Sequence, residues 1–578
     1  MRVIVVVLVA AAAAIAGGLR MSVSDAADPV PLQSRVEPAK VSPVPGGDDL
    51  PIMPGWPKQV SSSANFGPAR GVALADFDGD GRMEVIMPST ANQLHVWKYD
   101  GTYYPGWPRT LSGMGQYAAA VADIDLDGDY EIAVCTRGMT SGGVLAVFRE
   151  DGTAEAGWPY SGRVGGNFSD SPTLADVNGD DTLELIAGER NYPTGYLHVL
   201  NCHGTELSGW PYSLDHVPAM GAAVGDIDSD GSPEIIYASY NSLYALNPDG
   251  TLVPGWPQTN PNGGYFSYQS PALADVDSDD TLEIVVAEHR DGSGAYVFRH
   301  DGTILSGWPF RFARWTYCPP TACDLYRNGE LKVLCGQSGI VGGAAQVFYA
   351  FDAGGTVLPG FPITQPNGDA AEGNTAVADL DEDGDMEAIF SSNIMVDNKG
   401  FMYAVHHDGS AVTNWPLRPG GFTYQNGATV ADVDADDSLD IVVVADNGGT
   451  TEVTVYEAGV PFNRAAWEWP TYQFDMQRTG LYQPYQTGVA EASRTGDVRL
   501  TVTPNPFRHR VAFSLPAGAR ARLVIADASG RSVRRLTTAG SVAWDGADEH
   551  GRRVPAGVYL YRLVSGDSET AGMLLRVE

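Results

Sequence analysis

Short apolar runs alternate with acidic and glycine-rich turns along most of this chain, and no long stretch carries an apolar stripe of helical period. The segment Ser171–Pro211, SPTLADVNGDDTLELIAGERNYPTGYLHVLNCHGTELSGWP, shows the unit. TLADV predicts a short apolar strand, LELIAG a second after an acidic loop, GYLHVLN a third with alternating sides, and ELSGWP a fourth extended piece. Asp-Gly follows the third strand at Asp100, Asp151, Asp249, Asp301 and Asp408, a hairpin signal of known geometry.

The unit recurs. Its acidic loop reads ADFDGDGRMEV from Ala75, ADIDLDGDYEI from Ala122, ADVNGDDTLEL from Ala175 and GDIDSDGSPEI from Gly225. It returns as ADVDSDDTLEI from Ala274, ADLDEDGDMEA from Ala378 and ADVDADDSLDI from Ala431. CDLYRNGELKV from Cys323 keeps the frame and loses the acids. A period of about fifty residues means a repeat architecture, and four short antiparallel strands per unit predict an all-β propeller. Eight loops predict eight blades, with seven plus an irregular unit as the alternative. Nine Trp-Pro-like motifs, counting Trp56-Pro57 and Trp469-Pro470, leave one to close the ring from the other terminus. Trp107, Trp158, Trp210, Trp256, Trp308 and Trp415 are read as packing between blades, since Phe361 fills the same slot.

Like charges at every second position repel by about 1 kcal/mol per adjacent pair even in water. Seven loops that keep them together call for a cation. Loop positions 1, 3, 5 and 9 supply only oxygens: Asp76, Asp78, Asp80 and Glu84 in the first loop, and Asp123, Asp125, Asp127 and Glu131 in the second. The third offers Asp176, Asn178, Asp180 and Glu184, the fourth Asp226, Asp228, Asp230 and Glu234. The fifth has Asp275, Asp277, Asp279 and Glu283, the seventh Asp379, Asp381, Asp383 and Glu387, the eighth Asp432, Asp434, Asp436 and Asp440. Such a cage suits Ca2+ better than Mg2+, which demands stricter octahedral geometry. Up to seven ions are expected. In the sixth loop Tyr326 and Lys332 stand at positions 3 and 9, so it is expected to hold none.

These repeats resemble the FG-GAP/VCBS family, the calcium-loop repeats of integrin α-subunit propellers and of many secreted bacterial proteins. NFGPARGVALADFDGDGRMEVIM from Asn65 matches from the Phe-Gly through the loop. The resemblance implies that the ions are structural.

Composition adds boundaries. Net charge is −35, yet Val498–Glu578 holds twelve Arg and seven acids, net +5, leaving −40 on the remainder. That acidity disfavours nucleic acid and anionic membranes as partners. Residues 1–27 read as a signal peptide and its flank (Arg2, an apolar run from Val3, Ala14-Ile15-Ala16), the alternative being an N-terminal anchor. A secreted or surface protein follows. Residues 28–50 are a Pro/Gly-rich linker, 51–482 the propeller, 483–497 a polar linker and 498–578 a β-sandwich. The last segment resembles the Ig-like domain of the flagellar hook-capping family and the type IX secretion sorting domains, through Pro504-Asn505-Pro506-Phe507, Asp527–Arg531, Trp544-Asp545-Gly546 and Gly557-Val558-Tyr559. The resemblance implies a structural module or an export and attachment signal.

Five cysteines are too few for a disulfide scaffold; a Cys323–Cys335 bridge and buried free thiols are the two readings of the sixth repeat. No Gly-x-Ser-x-Gly, His-Glu-x-x-His or phosphate-binding loop occurs. His300, His406 and His407 sit by Asp-Gly turns and are expected to be exposed. Aromatics before the first strands (Phe66, Tyr117, Phe168, Tyr265, Phe266, Tyr268, Trp315, Tyr317, Phe422, Tyr424) form a candidate ring at one mouth, with local packing as the alternative. The expected function is a monomeric binding or adhesion module for an extracellular protein or carbohydrate. A polysaccharide lyase or glycosidase on the same scaffold is the second reading.

Overall fold

The computed structural model describes residues 50–483, apart from short gaps at 65–66, 69, 139–141, 261–262, 267, 291, 339–344, 366–368 and 463–466, and part of 501–576. The segments read as signal peptide and linkers lie outside the described residues, save their edges at Leu50 and Gln483. The chain divides into two compact units, Met1–Tyr485 and Gln486–Glu578. Among the described residues all regular structure is β, and no helix is long and apolar enough to cross a membrane.

The first unit is built of eight small antiparallel sheets. The fourth repeat shows the pattern: Ala223–Gly225, Glu234–Ala238, Ser242–Leu246 and Gln258–Thr259 pair in that order. The short first strands are buried, with only Ala175 partly exposed, and those of consecutive sheets lie side by side, as at Ala223–Gly225, Ala272–Ala274 and Thr321–Cys323. The acidic loops are also chained. Met83 N donates to Val433 O, Leu183 N to Ile124 O and Met386 N to Leu325 O, each crossing to the preceding sheet's loop. The arrangement is a β-propeller-like repeat. Its ring closes by exchange: Lys58–Ser61 pairs with Thr450–Val453, so the first strand of the chain is the outer strand of the last sheet. That accounts for the extra N-terminal Trp-Pro motif.

Two corrections concern the repeat itself. The outer strand follows Trp-Pro instead of ending at it; in the third repeat it is Tyr212–Leu214, and Glu206 makes only an isolated bridge with Leu200. The Trp-Pro turn has a separate task. Trp210 is 7% exposed, and its indole Nε1 donates to Pro248 O in the next sheet's turn at 2.8 Å. Trp56, Trp107, Trp158, Trp256 and Trp308 make the same bond to Tyr99, Glu150, Cys202, His300 and Ala353. Each ring thus fills an intersheet seam and satisfies a carbonyl there. Gly209 permits the approach, since a Cβ would meet Asp249 O at 2.0 Å and its φ is +97°.

The second correction concerns Trp469-Pro470. Trp467–Trp469 pairs with Val377 and Ala378 at the inner edge of the seventh sheet, and the chain then enters the ring. Residues 470–482 run along the innermost strands. Val121, Leu174, Val224 and Leu273 N–H groups donate to Met476, Gln477, Thr479 and Gly480 carbonyls. Tyr482 N returns a bond to Leu273 O, and Val430 N donates to Pro470 O. This segment spans the interior of the ring as an axial strut.

In the second unit, sheets of three strands (Thr501–Thr503, Val511–Ser514, Val542–Trp544) and four strands (Ser532–Ala539, Arg520–Asp527, Gly557–Ser565, Ser568–Arg576) enclose one core including Phe513, Leu523, Ile525, Trp544 and Leu574.

The five cysteines are free and buried. Cys323 pairs in register with Lys332, three residues short of Cys335, so the expected Cys323–Cys335 juxtaposition does not form. Cys335 lies instead beside Cys318, its Sγ 3.8 Å from the Cys318 carbonyl.

Candidate metal loops and an aromatic face

Each acidic loop is a tight turn folded around its first aspartate. In the first loop Asp76 accepts from Asp80 N at 3.1 Å and Gly81 N at 2.8 Å. Asp226, Asp275 and Asp432 repeat both bonds. The position-9 acid is buried where the second strand begins. One oxygen of Glu84, Glu131, Glu184, Glu234, Glu283, Glu387 and Asp440 accepts the backbone N–H of position 2.

The other oxygen decides the chemistry. Glu131, Glu234 and Glu283 are at most 1% exposed, and in each Oε1 has no hydrogen-bond partner; Asp123 Oδ1 is orphaned too. A buried carboxylate oxygen without a donor costs several kcal/mol, and a cation, or a proton, would satisfy it; the residues fit a cation. Carboxylate oxygens of Asp76/Asp78/Asp80, Asp123/Asp125/Asp127, Asp226/Asp228/Asp230 and Asp275/Asp277/Asp279 lie within 4.8 Å of one another in each set. The donor set fits a hard divalent ion. Burial, reinforced by neighbouring aspartates, pushes the carboxyls of Glu84, Glu184, Glu234 and Glu283 up to about 7 and those of Glu131, Glu387 and Asp440 to about 8.

The loops are not equivalent. Asn178 turns its Nδ2 to Glu184 Oε1 at 3.0 Å, with its Oδ1 accepting from Asp180 N. Lys98 reaches Asp78 at 2.9 Å, Arg299 reaches Asp277 at 2.7 Å and Arg149 lies 4.0 Å from Asp127. His406 occupies the corresponding place in the seventh repeat, its Nδ1 3.0 Å from Glu387 and 3.8 Å from Asp381. His407 faces Asp385 at 3.3 Å. Both histidines are therefore engaged with the loop and not simply exposed. The signal that would have placed this residue is its fixed position two before the Asp-Gly turn.

In the sixth loop Asp324 keeps the turn, accepting from Asn328 N and Gly329 N. Lys332 stands where the others have Glu. It is 5% exposed, bonds to Glu330 and lies 5.6 Å from the Tyr326 ring centroid. An ammonium here repels a cation. The double change Tyr326→Asp with Lys332→Glu is expected to add one bound Ca2+ per chain, counted by equilibrium dialysis against the unaltered protein; an unchanged stoichiometry refutes the assignment.

The opposite face carries exposed rings. Of the aromatics singled out by sequence, Tyr117, Phe168, Phe266, Tyr268 and Tyr317 are at most 6% exposed and turn inward, Tyr117 against Met220 and Tyr472 and Tyr268 against Tyr317, while Phe66 lies outside the described residues. Trp315, Phe422 and Tyr424 are half-buried. Tyr265 alone is exposed, at 38%. It belongs to a row that sequence reasoning missed. Tyr265 lies 4.0 Å from Tyr240, Tyr240 4.8 Å from His216 in a stacked pair, and His216 6.2 Å from Tyr192, which is 48% exposed. These four come alternately from the turns after second strands and the connections between sheets, so no single segment shows the row.

The axis is occupied. Arg478, fully buried, donates to the carbonyls of Ala119, Val72, Tyr472 and Asp475, and Arg70 spans from the first repeat to Tyr268 O and Tyr317 O.

Comparison with known proteins agrees with this geometry. The FG-GAP-like repeat family matches residues 76–134 and 226–286, so the chain contains FG-GAP-like repeats. No curated relative matches the chain. Among solved structures, the Vibrio cholerae biofilm matrix protein Bap1 is similar in fold, with a TM-score of 0.51 at 15% identity over 75% of this chain and 97% of that one. Quinohemoprotein alcohol dehydrogenase from Comamonas testosteroni (TM-score 0.43, 12% identity, 72% and 77% covered) and the C-terminal domain of Pseudomonas aeruginosa PilY1 (0.35, 10%, 64% and 92%) resemble it more distantly.

Proposed function

We propose that this protein is a secreted or surface-attached binding module: an eight-bladed, Ca2+-stabilised propeller followed by an Ig-like domain that serves as a structural or attachment module. Its ions brace the ring, and its ligand is an extracellular carbohydrate or protein. The observation that carries the binding role is the pair of exposed phenols Tyr192 and Tyr265, joined through half-buried His216 and buried Tyr240, since exposed aromatic side chains mark interaction surfaces. The fold likeness to a biofilm matrix protein supports an extracellular setting. The second reading, a polysaccharide-active enzyme, finds less support, because the axis where a propeller would expose catalytic acids is filled by Arg70 and residues 470–482.

The test is co-sedimentation of the full chain with isolated bacterial extracellular matrix in calcium buffer. The double variant Tyr192→Ala, Tyr265→Ala is expected to lose at least ~10-fold in retention, a loss of about 1.4 kcal/mol, while its melting temperature stays within a few degrees. Retention at the level of the unaltered protein refutes the face. Release of soluble saccharide from the matrix would instead favour the enzyme.

A further inference from the structure

The residue two places before the third-strand turn reaches back to the acidic loop of its own repeat. The hairpin sets its place: Lys98 N donates to Thr102 O, Arg299 N to Thr303 O and His406 N to Ser410 O. Lys98 and Arg299 use that place to neutralise an aspartate, 2.9 Å from Asp78 and 2.7 Å from Asp277. Neither cation has a lone pair to offer a metal, whereas an imidazole does. His406 also reaches a different partner. Its Nδ1 lies 3.0 Å from Glu387 Oε1 and 3.8 Å from Asp381 Oδ2, and one donor atom from each of the three falls within 4.8 Å of the others. In Glu131, Glu234 and Glu283 the matching Oε1 is buried without a partner. The second oxygen of Glu387 is held by Leu380 N at 2.7 Å, which fixes the carboxylate. His407 faces the other side of the same loop, 3.3 Å from Asp385 at position 7. The seventh sheet is itself built differently. Its order is Met402–Val405, Glu387–Ser391, Ala376–Ala378, Trp467–Trp469. Among the described residues its third strand is therefore the outer edge, with isolated bridges from Met402 to Leu417 and from Val405 to Ala411. His406 directly follows that strand.

Resting on the reading that bound ions brace the ring, we infer that the seventh loop is a mixed nitrogen–oxygen site that takes a divalent ion of the Zn2+ class ahead of Ca2+, with His406, Glu387 and Asp381 as ligands. One imidazole and two carboxylates form a donor set of zinc, whereas Ca2+ and Mg2+ call for oxygen ligands. A contact of 3.0 Å between Nδ1 and a carboxylate oxygen needs a proton between them, and a metal ion takes that proton's place. Asp381 is exposed, so solvent can complete the shell on its side. The site also answers a structural need. An all-oxygen loop joins the first strand of its sheet to the second. A ligand at His406 adds the third strand to the same ion, so the metal staples an edge strand that no outer strand covers among the described residues. The competing role is an imidazolium that neutralises its loop as Lys98 does in the first repeat, and a lysine at 406 separates the two.

The experiment is equilibrium dialysis of the metal-stripped full chain against Ca2+ at ~1 mM, a level that fills weak oxygen sites, with Zn2+ in slight molar excess over protein. Bound metals are then counted by elemental mass spectrometry. Expected is one Zn2+ per chain retained against the calcium, with His406→Ala and His406→Lys each weakening it at least ~10-fold. His406→Lys is the control for folding: it should melt in calcium as the unaltered protein does, since Lys98 fills the equivalent place in the first repeat. Co2+ in place of Zn2+ gives a second readout, a visible absorption band that His406→Lys should lose. No zinc retained against calcium, or zinc retained equally by His406→Lys, overturns the site. Failure of the calcium loops is read separately: a chain that holds its one Zn2+ but no Ca2+ overturns those loops and leaves this site standing.

Discussion

Chelation of divalent cations is expected to lower the melting temperature of the propeller unit by roughly 10 °C, and to do so more at pH 8 than at pH 5. A site with a dissociation constant of ~10⁻⁴ M adds about 1.4 kcal/mol of stability at 1 mM Ca2+, and seven such sites add on the order of 10 kcal/mol. The pH dependence follows from the buried position-9 acids. Glu84, Glu184, Glu234 and Glu283 stand at about 7, and Glu131, Glu387 and Asp440 at about 8, raised by burial above the ordinary carboxylate range. A group raised on folding contributes fully below its unfolded value, and that contribution is lost as pH climbs through the folded one. The cation-free protein should therefore lose stability from about pH 5 to pH 8. Turn aspartates such as Asp100 and Asp301 are lowered by their Thr102 and Thr303 hydroxyl bonds, so they act below about pH 4, outside this window. Bound calcium compensates the ionised acids and flattens the curve. Thermal melts from pH 5 to 8.5, with chelator and with 1 mM calcium, measure both effects; a chelated protein that gains stability toward pH 8 contradicts the cage.

The repeat was legible because each copy states its rule locally. Alternation marks strands, Asp-Gly marks the third hairpin, and acids at positions 1, 3, 5 and 9 mark the loop. Even the sixth loop's exception is visible in Tyr326 and Lys332, and the buried ammonium sits where the sequence puts it. Long-range placement was less legible. The Trp-Pro motif was correctly read as packing, but the outer strand begins after it, because the indole must reach the next sheet's turn before the chain can pair. The Cys323–Cys335 pairing fails because the hairpin register sets Cys323 opposite Lys332, a count that loop length alone does not fix. Tyr192, His216 and Tyr240 escaped notice since their neighbours come from other repeats, whereas Phe266 and Tyr268, adjacent to exposed Tyr265, turn inward. The segment WPTYQFDMQRTGLY reads as the tail of the last repeat, and nothing local announces that it runs through the ring.

Replacing Arg478 with Ala is expected to cost roughly 3–5 kcal/mol, among the largest effects of any single substitution in this unit. Its guanidinium is fully buried in the axial strut and donates to Ala119 O at 3.0 Å, Val72 O at 2.8 Å, Tyr472 O at 2.9 Å, Asp475 O at 3.1 Å and Thr471 Oγ1 at 3.2 Å. Truncation removes the guanidinium donor from Val72 O and Ala119 O, where it ties the first and second sheets to the strut. Arg478→Lys should recover little, since one ammonium cannot span acceptors arranged around a planar fork. Urea unfolding in saturating calcium measures the cost. Hydrogen exchange then locates it: the Val121, Leu174 and Leu273 amides, which donate to Met476, Gln477 and Gly480, should lose protection before the Asp-Gly hairpins of the outer strands do. A variant that unfolds at the same urea concentration as the unaltered protein, with those three amides still protected, would show that residues 470–482 merely occupy the ring and do not hold it together.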